Sequence, residues 1–279
     1  MGTLMAMGLL ICAAAVLMTA PIVSSPATAL AAGSQAGGEL AEARRLAQRA
    51  ERLAAGGQLK DAAGLIHQAL VIEENALGPD HPAVALSLAN LAVAYSALGQ
   101  YGEAELLHRR ALAIREKVFG PEHPAVAASL NNLAELYRTL DEYARAEPLY
   151  QRALAIGEKA LGREHPALAA NLNNLALLYR TLGAYAKAEP LYQRALAITE
   201  KALGAEHPGV VLSLNNLAVL YAMQGRYGAA EALYRRALEI GEKRLGPEHP
   251  NLAAVRDGLA TVLRRTGRMA EAAQVEASH

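Results

Sequence analysis

The chain has 279 residues, 27 Lys+Arg against 27 Asp+Glu, and 53% hydrophobic residues. This excludes a disordered chain, which would leave too much apolar surface in water. It also excludes a general nucleic-acid binder, which needs a basic excess or stripe against phosphate, while the single cysteine, Cys12, leaves no disulfide framework, cysteine zinc site or iron–sulfur cluster.

No charged side chain precedes Glu39. An apolar run from Leu4 to Leu17 is followed by Pro21 and a small-residue stretch ending Ala29-Leu30-Ala31, the small-x-small form of a cleavage site. Residues 1–31 therefore read as a signal peptide of an exported protein, periplasmic or secreted. A membrane anchor is the alternative, because the n-region lacks Lys and Arg and Leu4 to Val23 is about 20 residues, long enough to span. Leu9-Leu10-Ile11-Cys12 is a poor lipoprotein box, since Ile11 is bulky. Residues 32–38 read as a linker.

From Glu39 onward the chain is periodic. His-Pro recurs at His81, His123, His165, His207 and His249, every step 42 residues. Leu-Ala follows in phase at Leu91, Leu133, Leu175, Leu217 and Leu259. All eleven tyrosines fall on three repeat positions, such as Tyr137, Tyr143 and Tyr150. Such a period signals a tandem array.

One unit, 123–164, predicts helix, turn, helix. His123 is the expected N-cap and Pro124 the first helical residue, where its missing N–H costs nothing. Val126, Leu130, Leu133, Leu136, Tyr137 and Leu140 form an amphipathic stripe. Asp141-Glu142 marks the turn, with Gly99, Gly183 and Gly225 at the same place in other units. Ala146, Leu149, Tyr150, Ala153, Leu154, Ile156 and Leu161 mark a second helix, which Pro148 (and Pro190 one unit on) is expected to bend. Repeats fall near 39–80, 81–122, 123–164, 165–206, 207–248 and 249–279. The first pair, rich in Arg and Glu, and the shortened last pair read as polar caps.

The string Asn131-Asn132-Leu133-Ala134-x-x-Tyr137, followed by Tyr143-x-x-Ala146-x-x-x-Tyr150-x-x-Ala153-Leu154, resembles the tetratricopeptide repeat, and its 42-residue length the kinesin-light-chain type. The resemblance covers about 39–279. It implies an all-α, right-handed superhelical solenoid of antiparallel helix pairs, with first helices lining a concave groove that binds peptide segments and has no catalytic activity of its own. Carried over residue by residue, it nominates Asn90, Asn132, Asn174 and Asn216 as contacts to ligand backbone, an Asn amide offering both donors and an acceptor. Asn131, Asn173 and Asn215 are secondary candidates. The competing reading is that one Asn of each pair bonds the neighbouring repeat instead.

Arg138 and Arg180, further along the same face, point to an acidic side chain or a terminal carboxylate in the ligand, or else are solvated arginines. Val93, Leu177 and Val219, beside Glu135, would add apolar contact. One histidine per repeat cannot converge on a metal, because stacked helices lie about 8–10 Å apart. The histidines therefore read as caps or loop packing, His67 and His108 as core or rim, and Glu105–Arg109 and Glu231–Arg235 as surface pairs. No cofactor site, phosphate loop or acid/base constellation stands out. The reading is a monomeric protein- or peptide-binding module, with no nucleic acid and with membrane contact only through 1–31 if uncleaved. A self-assembling envelope scaffold is the alternative, and an enzyme is disfavoured.

Overall fold

The computed structural model describes residues 33–277, so the leader or anchor expected over 1–31 and His279 lie outside it. Among the described residues there are twelve α-helices, one 3-10 turn and no strand. The chain divides into two compact units, Met1–Asp141 and Glu142–His279. The first contains α1 (Gly33–Ala55), α2 (Leu59–Leu77), α3 (Pro82–Ala97), α4 (Tyr101–Phe119) and α5 (Pro124–Thr139). The second contains α6 (Tyr143–Leu161), α7 (Leu168–Thr181), α8 (Tyr185–Leu203), α9 (Val210–Met223), α10 (Tyr227–Leu245), the 3-10 turn Pro250–Leu252, α11 (Ala253–Arg265) and α12 (Met269–Ala277). The helix-pair architecture is as expected. Residues 33–38, read as a linker, are helical here, since α1 starts at Gly33.

The local signals act as their chemistry requires. His81 and His123 cap α3 and α5, each Nδ1 accepting the backbone N–H two residues on at 3.1 Å, with proline next. His165 and His207 make the same bond, to Ala167 and Gly209, but the chain continues through an i,i+3 turn before α7 and α9 begin. The Nδ1 lone pair of these four histidines is thus committed to the backbone. Second helices run uninterrupted through Pro148 and Pro190. Gly162 closes α6 at φ 85°, ψ 153°, a conformation essentially reserved for glycine. Asp141 stands where sister turns have glycine and adopts φ 59°, the left-handed conformation an Asp tolerates better than most residues.

Each unit buries a continuous apolar layer. In the first, Leu70, Val84, Leu88, Leu91 and Ile114 are at most 5% exposed. In the second, Leu168, Leu172 and Ile198 form part of the same kind of layer. Each such side chain contributes about 1.5–3 kcal/mol on burial.

Packing between α6 and α7, and between α10 and the 3-10 turn that precedes α11, depends on side-chain volumes that match in space. A Cβ at Gly157 would lie 2.6 Å from Leu168 Cδ2, and one at Gly241 would lie 2.2 Å from Leu252 Cδ2. At the equivalent places Thr199 occurs with Val210, Arg115 with Val126 and Glu73 with Val84. Leucine thus occurs only opposite glycine and valine opposite anything larger, so the longer aliphatic side chain enters only where no Cβ opposes it.

Arg115 and Glu73, at this same register, use their length to reach the next first helix. Arg115 donates to Ser129 Oγ at 2.7 Å, and Glu73 accepts from the Ser87 hydroxyl at 2.5 Å. Burial lowers the Arg115 pKa and raises that of Glu73. His108 takes the place held by Tyr150, Tyr192 and Tyr234 in other repeats. It is 3% exposed, and burial, with a smaller push from Arg115, lowers its pKa to about 4.

Candidate functional site

In each unit the first helices adjoin one another: α3 beside α5 in the first, and α7, α9 and α11 in the second. These helices carry the nominated residues. In the first unit these are Asn90, exposed, and Asn131, Asn132, Glu135 and Arg138, all half-buried. In the second they are Asn173, Asn174, Arg180, Asn215 and Asn216, all half-buried. None of the second asparagines is interred between hairpins.

The two asparagines of a pair are not equivalent. Asn173 Oδ1 and Asn215 Oδ1 are buried and accept no hydrogen bond. A buried acceptor without a donor costs about 1–3 kcal/mol, and it offers no open oxygen to a ligand. Asn174 and Asn216, one residue on, are half-exposed without such a buried orphan oxygen.

The two arginines also differ. Glu135 grips Arg138 through two hydrogen bonds, 2.8 Å from Nε and 2.5 Å from Nη2, and both side chains are 21% exposed. The Arg138 fork, expected to face a ligand carboxylate, is thus engaged by its own helix. At Arg180 the residue three positions earlier is Leu177, and no ion pair or hydrogen bond of the described residues involves this guanidinium. Arg180 acts electrostatically on Tyr234, whose pKa burial pushes up to about 12 while the arginine's charge pulls it down. The Tyr234 ring fits because α11 carries Gly258 where its sister helices have asparagine: a Cβ there would stand 2.5 Å from the ring.

The helices α7 and α9 also present apolar side chains. Leu212 and Met223 on α9 are 57% and 50% exposed, and Leu177 and Val219 are half-buried.

On the opposite side, ladders the sequence reading did not identify tie successive pairs together. Tyr137 OH donates to Glu105 at 2.8 Å and accepts from Arg109 at 3.1 Å, so Glu105–Arg109, an i,i+4 pair at 2.9 Å as expected, is also part of an inter-repeat stitch. Tyr179 makes the same bond to Glu147 at 2.8 Å and accepts from Gln151 at 2.9 Å. Glu189 holds Arg226 at 2.9 Å, a bond that lowers the carboxylate's pKa, and the guanidinium lies 3.9 Å from the Tyr221 ring centre. Glu231 likewise takes Arg268 at 2.6 Å in addition to Arg235. The recurrence of Glu and Tyr 32 residues apart was the available signal. These contacts account for Tyr137, Tyr179 and Tyr221 as architecture, and the first-helix faces remain the candidate site.

Comparison with known proteins agrees with this architecture. No curated protein matches the chain in sequence. Among solved structures, kinesin light chain nearly identical TPR-like repeats from Podosopora anserina are 32% identical, with TM-score 0.61, covering 73% of this chain and 97% of theirs. BtubC (BKLC) from P. vanneervenii, at 23% identity, TM-score 0.63 and coverage of 88% and 92%, shares the fold. So does pilF of Pseudomonas aeruginosa, at 20%, 0.58, 85% and 90%. Repeats of this kind are generally protein-interaction modules and typically non-catalytic. Tetratricopeptide repeat profiles match residues 84–125, 107–159, 125–201, 167–243 and 211–277, and with more than half of its length so matched the chain belongs to the tetratricopeptide repeat family.

Proposed function

We propose that the first-helix faces of each unit bind an extended polypeptide segment, with Asn90 and Asn132 contacting the backbone of one held on the first unit and Asn174 and Asn216 that of one held on the second. The observation that carries this reading is the second unit's face, where half-exposed amides alternate with the exposed side chains of Leu212 and Met223. An amide can pair with both N–H and C=O of an extended chain whatever its side chains, and aliphatic patches beside it supply the desolvated area that gives affinity. Half-burial matters too. A side chain already fixed by its neighbours loses little entropy when a ligand arrives.

The test is selection of displayed random dodecapeptides on the purified protein, followed by titration of resynthesised winners against the wild type and the triple variant Asn132→Ala, Asn174→Ala, Asn216→Ala. Affinity is expected to fall about tenfold or more, the loss of one or two hydrogen bonds at about 1 kcal/mol each plus unpaired ligand groups. Winners that bind the triple variant as tightly as the wild type would refute the assignment, as would a selection that enriches nothing.

A further inference from the structure

Arginines tie neighbouring second helices together within each unit. In the first, Arg110 of α4 pairs with Glu74 of α2 at 2.6 Å and donates to the Pro79 carbonyl in the loop after α2. In the second, Arg194 of α8 takes Glu158 and the Arg163 carbonyl, and Arg236 of α10 takes Glu200 at 2.6 Å and the Ala205 carbonyl at 3.1 Å. The three sets occupy the same repeat positions, each arginine 36 residues after its glutamate and 31 after its carbonyl. The end of a second helix and the loop beyond it thus form a clasp of two acceptors, filled from the following second helix.

Glu242 and Pro247 form the same clasp at the last pair, but the residue 36 positions after Glu242 is Ser278. α12 has 9 residues and ends at Ala277, whereas α10 has 19. The clasp is filled nonetheless. Arg256 donates to Glu242 Oε1 at 2.9 Å and to the Pro247 carbonyl at 2.6 Å. It reaches them from α11, at the position held by Leu88, Leu130, Leu172 and Leu214 in α3, α5, α7 and α9. Those leucines are 0% exposed and Arg256 is 3% exposed.

A guanidinium so buried persists only when it is paired and hydrogen-bonded. The short α12 explains why arginine suits this place better than leucine. Leu172 clusters with Ala195 and Ile198 of its own second helix, and the counterparts of those two residues fall past Ala277. A leucine at 256 would lose that cover, whereas an arginine can pack its stem and still satisfy two acceptors.

We infer that Arg256 is the stop of the array: it replaces, from within α11, the arginine that a full-length second helix would bring, and so lets the last pair fold with half a second helix. Peptide binding at the first-helix faces plays no part in it.

Hydrogen–deuterium exchange with mass spectrometry tests this, with α11 and α12 read against α3 and α4. Arg256→Leu installs the residue of the sister helices, yet exchange over 253–277 should quicken about tenfold or more, because the clasp opens and the leucine lacks cover. Rates in α3 and α4 should not change. Glu242→Gln, at an exposed side chain, should quicken the same segment severalfold by weakening the clasp alone. A second chain carries the α10 sequence, Tyr227–Leu245, in place of residues 269–279. That graft puts an arginine at position 278 and restores the missing cover, so Arg256→Leu in it should exchange no faster than its parent.

Wild-type or slower exchange in Arg256→Leu overturns the inference, since the arginine would then be only an imperfect leucine. Equal quickening in the natural and grafted chains overturns it too, by separating Arg256 from the length of α12. Should Arg256→Leu not fold, Glu242→Gln carries the test, and wild-type exchange over 253–277 in that variant overturns the inference.

Discussion

Replacing Gly157 by alanine drives a methyl group toward Leu168. The new Cβ would lie 2.6 Å from Leu168 Cδ2, whereas carbon atoms settle at about 3.5–4.0 Å. Roughly 1 Å of movement is needed at a side chain only 1% exposed and held by Leu172, Ala195 and Ile198. Overpacking of this kind costs about 1–3 kcal/mol, and the better helix propensity of alanine returns about 1 kcal/mol. The single variant should therefore lose up to about 2 kcal/mol.

Leu168→Val alone removes a buried carbon, for about 1 kcal/mol. In the double variant the new methyl occupies that space and the propensity gain remains, so its stability should lie near the wild type. The chain already uses the compensated combination at Thr199 and Val210. A double-mutant cycle in urea, followed by far-UV circular dichroism with slopes compared because repeat arrays can lose cooperativity, should give a coupling of about 1–2 kcal/mol. Two single changes that simply add to within about 0.5 kcal/mol would refute volume matching. A Gly157→Ala variant stabilised by the whole propensity term would refute it equally.

Two further outcomes follow from buried and strained positions. His108 is neutral in the folded protein, its pKa lowered to about 4 from 6.5, so the unfolded chain binds the extra proton first. Its contribution is complete above pH 6.5 and is lost as pH falls toward 4, about 3 kcal/mol in all. The urea midpoint should fall across that window, and His108→Tyr, the residue at this place in three sister repeats, should flatten the dependence; an unchanged pH profile in that variant would remove His108 as its origin. Gly162→Ala forces a side chain into φ 85°, ψ 153° and should cost about 1–3 kcal/mol by the same denaturation assay, although nothing lies within 4 Å of the added Cβ, and a neutral result would show that the turn relaxes freely.

The sequence by itself determined the helix pairs, their 42-residue repeat, the histidine caps and the glycine turns. Each depends on residues a few positions apart or on strict repetition, so local chemistry and period suffice. It also placed Asn132, Asn174 and Asn216 on the first-helix faces, because helical spacing fixes a face. Tertiary structure decided which side chains on those faces are engaged. The sequence sets Glu135 three residues before Arg138 and Leu177 three before Arg180, and the structure adds that Glu135 grips Arg138 through two hydrogen bonds while Arg180 meets no carboxylate among the described residues. The Tyr137–Glu105 stitch and the match of Gly157 to Leu168 are contacts between different helices. Distance and volume across an interface are properties of the packed chain, and no single helix carries them.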